Sequence, residues 1–262
     1  MIAARMLERI EASAAVGQDA AHCAHCRHAA TLLAAGACDP HEVCVMAHSG
    51  RRIERFFKRH PQYAESCLRD GFWERRAIAA RYAPLAAILP LVRDADEAVR
   101  RVVASRLAPQ DAAVLMHDPD REVRITVAQR LAPEQLLTMA GDPDYMVRVV
   151  VARRLSHGKL SRLADDPERE VRKTVARRLP AFALARLLED PEVEVRRIVA
   201  ERALPQEALR LLDDDDWLVR LAAVQQAPMD AVRGRLDDAE AEVRRAAWER
   251  LQQGAGTSEQ PK

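Results

Sequence analysis

Lysine is almost missing from this chain. It occurs only at Lys58, Lys159, Lys173 and Lys262, although Lys and Arg together number 41 against 40 Asp and Glu. The basic side is therefore arginine, whose planar fork favours bidentate pairing with carboxylates over point-charge attraction. The near balance of charge does not imply nonspecific nucleic-acid binding by the chain as a whole. Glycine is scarce too, at 9 residues, so a phosphate-cradling loop is hard to place. No apolar run reaches the roughly 18 residues of a membrane span. Near the start, Arg5, Glu8, Arg9 and Glu11 interrupt the apolar residues, unlike the continuous core of a secretory signal. No segment alternates with a period of two, which leaves strands without support. Neither a Ser-His-Asp spacing nor a radical-type three-cysteine motif is present, so no enzyme is expected and a cytoplasmic location is.

What the chain has instead is a period. A Val-Arg pair returns seven times at a step of 24 residues, from Val99-Arg100 to Val243-Arg244, without insertion or deletion. A constant step of that size marks a stacked repeat array, which presents surface rather than performing chemistry. Each copy carries Asp at one phase, from Asp94 and Asp118 to Asp238, and Pro119, Pro143, Pro167 and Pro191 follow four of them. Asp then Pro reads as a helix start, with Asp as N-cap and Pro as first helical residue. Val123, Val127, Ala128 and Leu131 then form one stripe at helical period. The helix should end near Pro109, Pro133 and Pro205. The remaining residues of each copy, such as Leu136, Leu137, Met139 and Ala140, fit a short second helix of the tighter three-residue type.

Arg100 and its equivalents fall on the apolar stripe, where a charge needs a partner. The expected partner is the repeated Asp of the same or the neighbouring copy, giving an Asp-Arg ladder. A second recurring arginine, at Arg106, Arg130, Arg154, Arg178, Arg202 and Arg250, suits a helix C-terminus electrostatically. With Arg153, Arg177, Lys173 and Arg197 it offers a basic strip for an acidic partner, against the plainer reading of a solvated face.

Before Asp94 the pattern persists at Asp70, Arg76, Ala79 and Ala80, while Phe72, Trp73 and Tyr82 add bulk. This reads as a capping unit. Trp248 replaces the small Ala of earlier copies, as if to fill space where stacking stops. Departures cluster late, at Val224, Gln226 and Ala227. The expected organisation is a cysteine-rich domain over 1–67, an array over 68–251 and a disordered tail over 252–262.

The unit Asp-Pro-x-x-x-Val-Arg, then Val-Ala-x-Arg-Leu, resembles the leucine-rich repeat variant family. The resemblance covers roughly Asp94 to Leu251. It implies an all-α chain in which α and 3-10 helices alternate in a right-handed superhelical solenoid.

Cys23, Cys26, Cys38 and Cys44 are spaced C-x2-C-x11-C-x5-C, and four thiolates at that spacing can converge on one centre. Such a set suits tetrahedral zinc or a 4Fe-4S cluster, and ligand type alone leaves both open. Some leucine-rich repeat variants carry an N-terminal 4Fe-4S domain, and the resemblance implies that cofactor here, on those four cysteines. Cys67 reads as a buried small hydrophobe. His22, His25, His28, His41, His48 and His60 crowd the same region; they read as hydrogen-bonding groups around the site, with replacement of a thiolate as the alternative. Next come Arg51, Arg52, Arg55, Lys58 and Arg59, interleaved with core-facing Ile53, Phe56 and Phe57. The leading expectation is an iron-sulfur protein whose array binds another protein. The competing one is a zinc-stabilised adaptor for protein or nucleic acid.

Overall fold

The structure, a computed structural model, describes residues 23–256, with side chains described through Gly254. His22, the start of the expected cysteine domain and the end of the expected tail lie outside the described residues. Among the described residues there are helices, turns and one isolated antiparallel bridge, Asp39 with Val43. The chain forms two compact units, Met1–Leu131 and Ala132–Lys262.

In the first unit four long helices lie side by side in chain order: α1 (Gly50–Arg59), α2 (Trp73–Tyr82), α3 (Glu97–Arg106) and α4 (Arg121–Arg130). In the second unit α5 (Tyr145–Arg154), α6 (Arg169–Arg178), α7 (Val193–Arg202), α8 (Trp217–Val224) and α9 (Ala241–Gly256) do the same. A short helix follows each of α2 to α8. It is pure 3-10 at Leu136–Met139 and Ala181–Leu187, α running into 3-10 at Pro109–Leu115 and His157–Leu163, and α alone at Pro205–Leu211. The expected pair of long and short helices is thus present in each of the first six copies.

The stripe predicted from the period is the core. Val99, Val103, Ala104, Val123, Val127 and Ala128 have no exposed surface in the first unit, and Val171, Val175 and Ala176 none in the second. Small alanines let neighbouring helices approach, and each buried Val or Leu stabilises the stack by about 1.5–3 kcal/mol. Helix ends are set by leucine as much as by proline. Leu107, Leu131, Leu155 and Leu179 each turn to extended backbone, ψ 142–155°, and drop their side chains into the core.

The repeated Asp is not the N-cap. The caps are Asp96, Asp120, Asp144, Glu168, Glu192 and Asp216, two residues later, and the Asp caps bond helical N–H groups through their own carboxylates. Asp94 instead accepts from the backbone N–H of Asp96 at 2.9 Å, and Asp118, Asp166 and Asp190 repeat that turn. Asp-Pro therefore builds the turn that precedes the helix rather than its first residue.

That turn leaves the carboxylate available to a neighbour. In the first unit Arg76 forks onto Asp94 and Arg100 onto Asp118; in the second, Arg172 onto Asp190, Arg196 onto Asp214 and Arg220 onto Asp238. Each arginine reaches the Asp of the following copy while its Nη1 bonds the backbone carbonyl of its own copy's Asp, 2.8 Å for both Arg100 and Arg172. The ladder is real, and its rungs run between copies. The carboxylates hold these guanidinium groups above their ordinary pKa.

The second arginine also serves a neighbour. Arg106 bonds Ala80 O and Ala83 O at 2.5 and 2.6 Å, and Arg178 bonds Ala152 O and Leu155 O at 2.6 and 2.8 Å. These are carbonyls that the end of the preceding long helix leaves unpaired. Where the sequence departs from the pattern, Gln226 replaces the arginine and makes one such bond, to Glu201 O at 3.1 Å. Helix α8 is correspondingly shorter.

Two expectations about the chain's end fail. Trp248 is 57% exposed and fills no space. Helix α9 runs through Gly256, so Gln252–Gly256 is helical rather than tail, and a Cβ at Gly254 would meet Met229 Cε at 2.2 Å.

The boundary expected at residue 67 corresponds to no gap. Val43, Val45, Ile53, Phe56, Phe57, Cys67, Leu68, Ile78, Ile88, Val103 and Leu107 share one apolar cluster. Helix α1 and the 3-10 turns Pro61–Tyr63 and Glu65–Cys67 act as one more helix pair in front of α2.

Candidate metal centre

The cysteine segment is folded by short turns rather than by a helix of its own. Cys26 N–H bonds Cys23 O at 3.2 Å, which closes Cys23 and Cys26 into one turn. The chain then makes a π-helical turn, Ala29–Leu33. It reverses at Gly36, whose φ of 66° lies in the left-handed region that glycine enters without a Cβ penalty. Ala37 N–H returns to Leu32 O at 2.7 Å. Cys38 and Cys44 then flank the Asp39–Val43 bridge, which is bonded in both directions, Asp39 N–H to Val43 O at 2.9 Å and Val43 N–H to Asp39 O at 2.7 Å. That pairing sets the two cysteines side by side.

Helix α1 and the turns after it fix these loops. His60 Nε2 bonds Ala37 O at 2.8 Å and Arg52 donates to Pro40 O at 3.2 Å. Arg27 ties the Cys26 turn to the Ser66 carbonyl and hydroxyl, at 3.3 and 3.2 Å. Phe56 and Phe57 have no exposed surface and anchor the face of α1 that carries these contacts.

Two of the four thiols, Cys38 and Cys44, feel their neighbours. Burial first, and then the charges of Cys44, Cys26 and Cys23, push the Cys38 thiol up. Cys44 is buried, and desolvation pushes its thiol up as well, with Cys23 and Cys26 adding to the effect. Opposing this, hydrogen bonding from the backbone N–H groups of Met46 and Ala47 pulls the Cys44 thiol back down. A bound cation removes the repulsion between neighbouring thiolates by drawing off the charge. The donor set, four sulfurs, fits a thiolate-ligated iron-sulfur group. Among the described residues no three Cys, His, Asp or Glu side chains form a closed metal-binding group. None of the five cysteines is in a disulfide.

Cys67 is 2% exposed in the apolar cluster, with Arg27 Nη2 3.6 Å from its sulfur. His60 bonds Ala37 O, His48 stacks on Phe72 at 5.0 Å, and His25 and His41 are exposed. His28 is buried against Tyr63, with ring centroids 4.6 Å apart, and burial, then the charges of Arg27 and His60, lower its pKa. Arg51, Arg55, Lys58 and Arg59 face solvent.

Arg75 belongs to this centre and is missed by reading motifs alone. It occupies the phase that is valine in all seven later copies, and a charge at an apolar phase is the signal that finds it. Its side chain bonds Val45 O at 2.5 Å and Asp70 Oδ1 at 2.6 Å. Burial raises the Asp70 pKa, but the Arg75 and Phe72 hydrogen bonds with the charges of Arg75 and Arg27 outweigh it and hold the carboxyl below its usual range.

The fold and this centre define a class: an all-helical repeat protein whose first unit begins with a four-cysteine centre. Residues 16–66, which include all four cysteines, match the family described as the LRV protein FeS4 cluster, and residues 121–144 and 169–192 match the leucine rich repeat variant. A solved structure described as a leucine-rich repeat variant with a novel repetitive structural motif is 52% identical, with a TM-score of 0.82, covering 86% of this chain and 97% of that one. The chain belongs to the leucine-rich repeat variant family. It is also similar to an uncharacterized 27.7 kDa protein in the nifB 3′ region of Rhodobacter capsulatus, 40% identical over 88 residues. That match spans 34% of this chain and only about a third of the relative's length, 36%.

Proposed function

We propose that Cys23, Cys26, Cys38 and Cys44 hold a 4Fe-4S cluster and that the helical array carries it to a protein partner. The observation that supports this most directly is the placing of four cysteines within 22 residues, Cys38 and Cys44 on either side of one backbone bridge, in a segment that matches the FeS4 family. A bound cluster supplies one-electron exchange, or a brace sensitive to oxygen and redox state. The protein's own residues do the rest. Phe56, Val43 and Val45, buried in the apolar cluster that Cys38 packs against, shield one side.

The partner we infer is a protein with an acidic surface. Arg51, Arg55, Lys58 and Arg59 are exposed on α1, whose Arg52 and following His60 hold the cysteine turns. Charge of one sign beside a redox centre steers an oppositely charged partner to it. Thiols outside disulfides suit the cytoplasm. No helix among the described residues is long and apolar enough to cross a membrane.

Anaerobic purification followed by iron and sulfide analysis and visible absorption tests the cofactor. Iron with sulfide and a broad charge-transfer band supports the reading; stoichiometric zinc without sulfide overturns it.

A further inference from the structure

We propose that Arg75 is a positioning residue for the metal centre, holding the peptide that presents a hydrogen bond to the Cys44 sulfur; the inference rests on the cluster reading above. An arginine is an expensive occupant for this position. The seven later copies place valine there, and in the described copies that valine has no exposed surface. Packing alone asks only for an apolar side chain of modest volume. Arg75 is nonetheless 4% exposed, so its charge has been taken from water and must be met by partners.

Those partners are specific. Nη1 pairs with Asp70 Oδ1 at 2.6 Å, the guanidinium lies 5.6 Å from the Phe72 ring centre, and Nε donates to Val45 O at 2.5 Å. Asp70 and Phe72 are on the arginine's own repeat. Val45 is not; it is the residue after Cys44.

The Val45 carbonyl and the Met46 N–H belong to one peptide unit. That unit is planar and trans, so the carbonyl and the N–H point in opposite directions. A donor that fixes the carbonyl on one side therefore fixes the direction of the N–H on the other. Hydrogen bonding from the Met46 N–H pulls the Cys44 thiol down against its burial. A charged donor on the carbonyl also polarises the peptide and strengthens its N–H as a donor. Arg75 thus acts on the sulfur through one rigid peptide, with Asp70 fixing the guanidinium in turn. Hydrogen bonds to ligating sulfurs withdraw electron density and raise a cluster's reduction potential. The buried positive charge acts in the same direction.

The test uses the full chain, purified anaerobically with its cluster, as wild type, Arg75→Met and Arg75→Lys. Reduction by one electron, with dithionite as titrant, is followed by absorption, and exchangeable protons coupled to the reduced cluster are followed by pulsed EPR in H2O and D2O. Arg75→Met is expected to show a more negative midpoint, a weakened exchangeable N–H coupling, and about 10-fold or greater loss of iron affinity against a chelator. Arg75→Lys keeps the charge with a different reach, so its midpoint falls between the two, and it carries the test if Arg75→Met fails to fold. A purely structural role lowers the melting temperature and leaves midpoint and coupling at wild-type values; that result in the folded variants overturns the proposal. A wild-type protein without iron and sulfide overturns the cluster reading itself, and is recognised before any variant is made.

Discussion

Arg148 and Asp166 meet across the junction of two copies in a planar fork, Nε on Oδ2 at 2.8 Å and Nη2 on Oδ1 at 2.9 Å. The same guanidinium donates through Nη1 to Asp142 O at 2.7 Å. One side chain therefore ties the turn of its own copy to the carboxylate of the next. The pair is nearly shielded, with 11% and 3% of the two side chains exposed. Replacing Arg148 with Met leaves a buried carboxylate unpaired and should destabilise the fold by about 3 kcal/mol. Urea unfolding followed by circular dichroism measures this. A neutral result would show that the rung is not used.

The ladder makes stability depend on acid. Desolvation pushes the Asp214 carboxyl up, but the Arg196 fork, the Asp216 N–H and the charges of Arg196 and Arg220 bring it below its usual range. Asp238 is lowered chiefly by Arg220. A carboxylate with a depressed native pKa stabilises the fold fully above its unfolded value, about 3.9. That contribution is lost as pH falls through the native pKa. Melting temperatures from pH 7 downward should hold until about pH 4 and then fall, with a shallower fall for Asp214→Asn. Equal acid slopes in the two proteins would count against the rung's role.

Gly36 offers a test confined to backbone. A Cβ there meets nothing within 4 Å, so substitution costs only the left-handed conformation, φ 66°. Gly36→Ala should lose about 1 kcal/mol and reduce iron bound per chain, because this turn returns the chain to Cys38. Gly36→Asn, which tolerates that conformation, should lie nearer wild type. If alanine and asparagine behave alike, the turn does not limit the site.

Arg178 closes the end of α5 through Ala152 O and Leu155 O. Removing a charged donor from two helix-end carbonyls, as in Arg178→Met, should cost about 2 kcal/mol. Arg178→Gln should keep part of it, since Gln226 keeps one such bond to the preceding copy, at Glu201 O. Amide exchange in the last turn of α5 reads the effect locally, and unchanged protection there would remove the capping role.

The array was legible because its signals are local and repeated. Val99, Val103 and Ala104 state the helix and its buried face within one copy, and Arg100 on that face demands a partner. Which Asp supplies it is not a local property. An N-cap and an Asp that closes the turn before the helix differ only in which N–H the carboxylate accepts, so Asp118 read as a cap and proved to be a turn. At Trp248 the larger side chain signals volume but not what covers it, and it is 57% exposed. At the metal centre, four cysteines in 22 residues named the donors, whereas the turns that gather them rest on contacts from α1 and α2. Arg75 and Val45 are 30 residues apart. Their bond depends on how α2 packs, and only the odd residue at a valine phase announced it.

The measurement closest to the central claim is iron and acid-labile sulfide, determined in parallel on anaerobically purified wild type, on Cys23→Ser, Cys26→Ser, Cys38→Ser and Cys44→Ser, and on Cys67→Ser. The account predicts equal iron and sulfide in wild type, about four of each per chain, sharp loss in each of the first four variants, and retention in Cys67→Ser. Zinc without sulfide in wild type, or a Cys67→Ser protein as depleted as Cys44→Ser, would contradict it.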